Sequence, residues 1–295
     1  MIRIGVLDSS QGNGHMFSFS AIINGLNEHE INQCDYQTIL SYIQDYETPV
    51  HDIAQVARVT AIQMEDLGLA QRVAKFANIN KIYDSELELA RNVDALIITN
   101  DDPSTRNFKM PALLEFGKPI FLDKIIAYSK EEYMSLKKLE KFNGQIYSSS
   151  AMQHAPMFNK IMLTEEMISL EISVPKSWRL YSVHAIELLL SILRRSNDAA
   201  AFISHNKIDG ADVVKLTSRL HQIDISIVAS NVSGTPFQTI EKFRNGSQNV
   251  LTMVDPFEAF SKMISEFLTS IITNTYADKR DWDISIIELI SKGLN

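Results

Sequence analysis

The N-terminal half of the sequence repeats one pattern: a short apolar run, then a segment with apolar residues at helical spacing. The runs predict strands and the segments between them predict helices. Candidate strands cover residues 2–7, 57–62, 81–83, 95–99, 119–122 and 145–148. Because strands joined by helices run parallel with right-handed crossovers, the alternation predicts a doubly wound, Rossmann-type α/β sheet.

Polar residues follow several of these predicted strands. Ligands of doubly wound sheets bind at the carboxyl ends of the strands. In this sequence those ends carry residues 8–10, residues 63–66, Asn100, Asp101, Asp123 and Lys124. We therefore expect a functional site at this edge of the sheet.

From about residue 150 the pattern changes, and strands follow strands. A predicted helix over 181–193 precedes candidate strands at 201–204, 212–217, 223–229, 237–243 and 250–253, and helices at 256–273 and 282–292 end the chain. Turn pairs such as Asp209-Gly210 between strands predict an open, mainly antiparallel sheet in an α+β domain. We predict domains over 1–149 and 150–295, with the last helices as candidates to pack back on the first. The segment 27–52, with a helix predicted over 36–46, has no predicted role.

Charge and cysteine content limit the classes of partner. A net charge of -8 and a pI near 5.4 argue against binding to nucleic acid, which needs a concentrated positive field. The single cysteine, Cys34, excludes a disulfide framework and a zinc site built on cysteine pairs. No export signal and no apolar run of about 18 residues is evident. We expect a cytoplasmic protein that uses neither a metal nor a membrane.

Two side chains are candidates for chemistry. Lys124 directly follows a buried strand, where it could hold a substrate hydroxyl and exchange a proton; alternatively it pairs with Asp123 or points to solvent. His184 lies on an amphipathic helix and suits proton transfer near neutral pH, with Glu187 three residues on to orient it. A lone histidine on a helix can equally be structural, and His154 at the domain junction has the same two interpretations.

Taken together, these segments resemble the Gfo/Idh/MocA oxidoreductases, the glucose-fructose oxidoreductase and inositol dehydrogenase family. The resemblance covers nearly the whole chain, with matches at I-G-V-L, V-D-A-L-I-I-T, G-K-P-I-F-L-D-K, Y-S-S-S-A-M-Q-H-A-P and V-H-A-I-E-L-L. It implies a Rossmann domain followed by a mainly antiparallel sheet, and a nicotinamide cofactor. It also implies that Lys124 is the catalytic lysine and His184 the histidine that relays the substrate proton.

The sequence departs from the family in three places. Leu180 stands where the family has an aspartate, four residues before the histidine. Ile125 replaces the proline that normally follows the lysine. Asp8 and Ser10 stand where glycines would let the backbone approach a pyrophosphate.

The segment D-S-S-Q-G-N-G-H is similar to a lengthened form of the Gly-Leu-Asp-Thr-Ser-His loop of one family branch. Gly12 and Gly14 could restore backbone access. Ser9, Ser10 and His15 would then donate hydrogen bonds to phosphate oxygens, helped by the dipole of the following helix.

The end of the second strand bears on the choice of cofactor. It reads Gln63-Met64-Glu65-Asp66, with an acidic Asp66 for the ribose hydroxyls and no basic residue for a 2′-phosphate. This favours NAD and leaves NADP open. Asn100 and Asp101 would border the nicotinamide, and Asp123 completes the predicted cofactor-binding set.

Two functions remain open. The first is an NAD(P)-dependent oxidoreductase that moves hydride between nicotinamide and a secondary alcohol or ketone of a sugar or cyclitol-like metabolite. The second is a family member that has kept the fold but lost turnover, and acts as a ligand sensor or partner subunit; Leu180, Ile125 and the altered loop support it.

Partners are predicted from the second domain. His154, Trp178 and Arg179 are candidate substrate-binding residues, with surface packing as the alternative for the last two. Alternating strands such as D-I-S-I-V-A could present an apolar side to a second copy. We expect a homodimer or homotetramer formed through the C-terminal sheet.

Overall fold

The computed structural model describes residues 1–294, which divide into two compact units. Unit 1 comprises residues 1–127, 131–149 and 260–279. Unit 2 comprises residues 128–130, 150–259 and 280–294.

Unit 1 contains a six-stranded, fully parallel sheet in the order β3-β2-β1-β4-β5-β6. Its strands are β1 (Ile2–Ser9), β2 (Ala57–Gln63), β3 (Lys81–Ile82), β4 (Ala95–Thr99), β5 (Ile120–Leu122) and β6 (Ile146–Ser148). All five residues of β4 are buried, as expected for a central strand covered on both faces. The predicted doubly wound sheet is confirmed.

Helices connect these strands. They are α1 (His15–Asn24), α2 (Gln37–Ile43), α3 (His51–Val56), α4 (Leu67–Phe76), α5 (Glu86–Asn92), α6 (Pro103–Arg106), α7 (Met110–Leu114) and α8 (Lys130–Lys137). The helix predicted over 36–46 is α2, and a 3-10 helix over Glu28–Gln33 precedes it. Helices α6 and α7 are short, and each has a proline, Pro103 or Pro111, in its first turn, where proline is favoured.

Unit 2 contains a six-stranded mixed sheet in the order β12-β11-β7-β10-β9-β8. Its strands are β7 (Met167–Val174), β8 (Ala200–Ile208), β9 (Ala211–Ser218), β10 (Asp224–Ala229), β11 (Phe237–Phe243) and β12 (Gln248–Met253). Only β7 and β10 pair in parallel, so the predicted mainly antiparallel sheet is confirmed. The turn between β8 and β9 has both Asp209 and Gly210 at positive φ, as a two-residue hairpin turn requires.

The sequence analysis missed β7, a central strand of this sheet. Its sequence M-I-S-L-E-I-S-V alternates in period two, and Leu170, Ile172 and Val174 are buried. The alternation was therefore a readable signal of a half-buried strand.

Helix α9 (Trp178–Arg195) contacts β7 and β10. On β10 the apolar residues Ile225, Ile227 and Ala229 are all buried, while Ser226 and Val228 between them are half-buried. The expectation that D-I-S-I-V-A offers its apolar side to a second copy is wrong, because that side is already buried within this chain. The homo-oligomer stays a prediction.

The last two helices are α10 (Phe257–Thr273) and α11 (Arg280–Lys292). Residues 260–279 belong to unit 1, where Phe267 packs on Phe121 and Tyr147 with ring centroids 5.6 Å apart in both pairs. Helix α11 belongs to unit 2. None of the helices formed by residues 1–294 is long and apolar enough to span a membrane.

Candidate active site

Asp8, the penultimate residue of β1, has a backbone conformation that favours glycine. Its φ is 53°, in the left-handed region where aspartate is among the few tolerated side chains. Its carboxylate is buried and accepts hydrogen bonds from the Ser9 backbone N–H at 2.9 Å and the Asn100 amide at 3.1 Å. Lys109 Nζ lies 3.2 Å from the same carboxylate, so the charge of Asp8 is paired.

Lys109 forms ion pairs with three carboxylates. Besides Asp8, its ammonium lies 2.7 Å from Glu86 and 3.5 Å from Glu65, and its side chain is 12% exposed. Burial alone would lower the pKa of Lys109, but the hydrogen bond to Glu86 and the charge of Asp8 outweigh it, and the pKa is raised. The sequence analysis missed this residue, since nothing local to residue 109 indicates proximity to residue 8.

The loop before α1 contains two glycines with different roles. Gly12 has a φ of 81°, and a Cβ added there would meet no atom of the described chain within 4 Å. A Cβ on Gly14 would lie 2.5 Å from Ile39 and 2.8 Å from Tyr36. Gly12 therefore has open space beside it, whereas Gly14 is needed for close packing against Tyr36 and Ile39.

The Asp123 carboxylate is hydrogen-bonded to side chains from the loop after β1 and the start of α1. Asn13 donates its amide hydrogens to Asp123 at 2.8 Å and to the Thr99 carbonyl at 2.8 Å, and its own oxygen accepts from the His15 N–H. His15 Nδ1 lies 2.6 Å from Asp123 Oδ2. His15 and Asp123, both predicted to bind cofactor, are thus hydrogen-bonded to each other, and Asn13 is a neighbouring residue that the sequence analysis missed.

Asp123 is 1% exposed and ionised. Burial alone would raise the pKa of its carboxyl, but the charges of His15 and Lys124 and the hydrogen bonds from His15 and Asn13 hold that pKa well below its usual range. Because an ionised carboxylate can only accept, His15 Nδ1 carries a hydrogen.

Lys124 is 7% exposed, so it does not point to solvent. Its Nζ lies 3.3 Å from Asp123, 3.7 Å from Asp101 and 3.5 Å from His15 Nδ1. Asp101 in turn accepts a hydrogen bond from the Ser10 hydroxyl. The structure thus brings together five of the predicted residues in unit 1, including the pairing of Lys124 with Asp123 that the sequence analysis gave as the alternative.

Arg106 holds the segment that carries Lys124. It is fully buried, and its guanidinium donates to the carbonyls of Asn100 and Asp123 at 2.9 Å, Ile125 at 2.6 Å and Ile126 at 3.0 Å. The Lys124–Ile125 peptide bond is cis. Where the family has proline, this chain fixes the loop through a buried arginine that the sequence analysis missed.

At the end of β2 the outcome differs from the prediction. Asp66 is the N-cap of α4 and accepts from the Leu69 N–H at 3.1 Å, so it has a helix-capping role. Gln63 is 7% exposed, and its side-chain oxygen is buried without a hydrogen-bond partner among residues 1–294. A buried acceptor without a donor is costly, and Gln63 becomes the candidate ligand-binding residue at this strand end.

In unit 2, His184 lies on α9 and is 6% exposed. Its Nδ1 is 2.5 Å from the Ser150 hydroxyl oxygen. Glu187 accepts from the Ser150 N–H at 2.7 Å and from the Gln153 amide, so it anchors the segment that faces His184.

The other predicted substrate residues fall into different environments. Trp178 is 2% exposed and donates its indole N–H to the Ile290 carbonyl at 2.9 Å, so it belongs to the core of unit 2 and does not line a substrate site. Arg179 is exposed and lies 3.9 Å from the Tyr128 ring centroid. His154 is buried in a 3-10 helix, and Leu180 is 41% exposed. Across residues 1–294, no group of three or more histidine, cysteine or acidic side chains could hold a metal ion.

Neither a family model nor a curated protein matches the sequence. Solved structures do match. A dehydrogenase, MviM, from Clostridium difficile is 15% identical over 100% of this chain and 99% of its own, with a TM-score of 0.66. A myo-inositol dehydrogenase from Corynebacterium glutamicum is 14% identical over 100% and 96%, with a TM-score of 0.67. One from Lactobacillus casei, in complex with NAD(H) and myo-inositol, is 13% identical over 100% and 93%, with a TM-score of 0.66. The resemblance is confirmed at the level of the fold.

The ion pair of Asp123 makes stability depend on pH. Asp123→Asn is expected to lower the free energy of unfolding at neutral pH by about 3 kcal/mol, because it removes the fully buried charge that pairs with Lys124. Since the folded-state pKa lies below the unfolded value of about 3.9, this contribution is complete above that pH and is lost as the pH falls further. Urea unfolding of both proteins over a pH series should show the difference shrinking in acid.

Asp94→Asn is the control for Asp123→Asn, because Asp94 forms an ion pair with Arg3 that is exposed. Its effect should stay below about 1 kcal/mol. A difference between wild type and Asp123→Asn that does not change with pH would contradict the assignment.

Arg106→Met is expected to destabilise the protein by about 3 kcal/mol or more, because buried carbonyls that lose their donor cost about 1–3 kcal/mol each. Arg106→Lys should destabilise the protein less than Arg106→Met does, since an ammonium can still reach some of these carbonyls. Urea unfolding measures both, and Arg58→Met, on the exposed side of β2, should change stability by no more than about 0.5 kcal/mol. If Arg106→Met and Arg58→Met changed the free energy of unfolding equally, the hydrogen bonds of Arg106 would not stabilise the fold.

Proposed function

We propose that this protein is an NAD-dependent dehydrogenase that transfers hydride between nicotinamide and a secondary alcohol or ketone of a sugar or cyclitol-like metabolite. The observation that carries the proposal is Lys124, nearly buried and within 4 Å of both Asp101 and Asp123 at the carboxyl end of β5. In a sheet of this strand order, nucleotides bind at that edge. The similar folds of inositol dehydrogenases, one of them bound to NAD(H), support the reaction class.

The residues at the sheet edge fit a dinucleotide. Gly12 leaves open space at the loop before α1, where backbone N–H groups and the helix dipole favour a pyrophosphate. Lys109 pairs with the Asp8 carboxylate that would otherwise repel it. The buried, unpartnered oxygen of Gln63 is an acceptor suited to a ribose hydroxyl.

The charges near β2 favour NAD over NADP. Lys109 Nζ lies 3.5 Å from Glu65 at this strand end, and it is also paired with Asp8 and Glu86. A 2′-phosphate placed there would meet three carboxylates for one ammonium, and we therefore expect it to be rejected.

Lys124 is the residue to which we assign proton exchange with the substrate oxygen. When bound, nicotinamide would accept hydride from the alcohol carbon or deliver it to the carbonyl carbon. Asp101 and Asp123 orient the ammonium of Lys124, and Arg106 fixes the backbone on both sides of it. The resemblance also implies a catalytic role for His184.

A binding protein without turnover is the second candidate. Leu180 favours it, because a 41% exposed leucine stands where the family has an aspartate. The Ser10 hydroxyl and His15, expected as phosphate donors, are also already bonded to carboxylates. The second candidate, a ligand sensor or partner subunit, requires neither turnover nor a working phosphate loop.

Gln63→Met separates a ligand role from a structural one. Removing a buried oxygen without a donor should raise the free energy of unfolding of the protein alone by about 1 kcal/mol. It should also weaken NADH binding about fivefold, the equivalent of one lost hydrogen bond. Nicotinamide fluorescence and thermal stability followed during NADH and NADPH titrations measure both effects.

The control for Gln63→Met is Gln71→Met, on the exposed side of α4. It should change neither the free energy of unfolding nor the affinity for NADH. Unaltered NADH affinity in Gln63→Met would remove Gln63 from the site, and failure of the wild type to bind either nucleotide would refute the proposed function.

Lys124→Met should lower kcat on a substrate found by a sugar and cyclitol screen by about 100-fold, the usual contribution of a positioned acid or base, and leave NADH affinity unchanged. His184→Gln should also reduce turnover. Lys215→Met, at an exposed position on β9, is the control. Full activity of both site variants would overturn the assignment, while NADH binding without turnover of any substrate would favour the sensor.

A further inference from the structure

The environment of His184 determines where its ring carries hydrogen. The imidazole is 6% exposed and lies between aromatic rings, with the centroids of Tyr181 and Phe237 at 5.3 and 5.2 Å. Its Nδ1 is 2.5 Å from the hydroxyl oxygen of Ser150. This nitrogen therefore faces a neutral hydroxyl.

Ser150 is itself held in place. It is fully buried, and its N–H donates to Glu187 at 2.7 Å. Glu187 is 2% exposed and follows His184 by three residues on α9, so the same helix carries the imidazole and the group that anchors its partner. The side chain of Ser150 has little freedom to turn elsewhere.

We propose that Ser150 is a positioning residue that fixes the tautomer of His184, with Nδ1 unprotonated and the hydrogen on Nε2. A hydroxyl always carries a hydrogen, and inside a protein that hydrogen needs an acceptor. In the part of the chain that the structure describes, His184 Nδ1 is the hydrogen-bond partner of the Ser150 hydroxyl. If Nδ1 donated instead, the serine hydrogen would be buried without an acceptor, at a cost of about 1–3 kcal/mol.

His15 shows the opposite case within unit 1. Its Nδ1 lies 2.6 Å from Asp123, and an ionised carboxylate only accepts, so there the hydrogen is on Nδ1. At His184 the partner is a hydroxyl, and Leu180 offers no carboxylate in the place where the family has one. The two histidines therefore differ at Nδ1, which carries a hydrogen in His15 and is unprotonated in His184.

The consequence for His184 rests on the proposed function. A neutral imidazole with N–H at Nε2 donates a hydrogen bond to a substrate oxygen and cannot accept the hydroxyl proton at that atom. His184 then acts as a hydrogen-bond donor at Nε2 and does not take the substrate proton at that atom. This differs from the proton-relaying role that the resemblance implies.

The test is the nitrogen chemical shifts of His184 in the full-length ¹⁵N-labelled protein without nucleotide, by long-range proton–nitrogen correlation at a pH of about 8, where an ordinary imidazole is neutral. His184→Gln assigns the signals by their loss. We expect an unprotonated-type shift for Nδ1 and a protonated-type shift for Nε2. The reverse assignment in the wild type overturns the proposal, whatever the variants do.

Ser150→Ala should shift Nδ1 towards a mixture of the two tautomers, and Ser150→Thr, which keeps the hydroxyl, should preserve the wild-type pattern. Ser182→Ala is the matched control, because Ser182 is fully buried on the same helix and its hydroxyl has no hydrogen-bond partner among residues 1–294. An unchanged tautomer in Ser150→Ala would contradict the proposal. The measurement needs no nucleotide, so failed NADH binding would refute the proposed function and leave the tautomer result intact.

Discussion

The buried carboxylate of Asp123 is the interaction on which the arrangement of unit 1 depends. It lies at the end of β5 and binds Asn13 and His15, which come from the loop after β1 and the start of α1. Asn13 also reaches the Thr99 carbonyl on β4, so one carboxylate links the ends of three parallel strands. A charge taken from water needs several partners to be tolerated, and these partners are the site residues themselves.

Two departures from the expected family pattern are matched by interactions elsewhere in unit 1. Asp8 takes the left-handed conformation of a glycine, and Lys109 pairs with the charge that this substitution brings. Ile125 stands in place of proline, and Arg106 binds the carbonyls of the same loop. The fold is thus similar to those of dehydrogenases that are only 10–15% identical to this chain, and these contacts lie between residues distant in sequence.

The two histidines show that residue type does not specify chemical role. His15 faces an ionised carboxylate and His184 a serine hydroxyl. A carboxylate can only accept, so the imidazole nitrogen facing it carries a hydrogen. A buried hydroxyl needs an acceptor for its own hydrogen, so the imidazole nitrogen facing it is unprotonated. The role of each histidine follows from its neighbour, which lies 108 residues away in one case and 34 in the other.

The sequence by itself determined the alternation of strands and helices, the change to an antiparallel sheet, and the clustering of Ser10, Asp101, Asp123 and Lys124 at one sheet edge. These follow from local periodicity and from the rule that parallel strands end together. The tertiary structure alone decided that Trp178 is core, that Asp66 is a helix cap, that Lys109, Arg106 and Asn13 bind residues at the ends of the parallel strands, and that the Gln63 side-chain oxygen is buried there. Their roles depend on partners distant in sequence, because burial and pairing are set by packing, which periodicity does not encode.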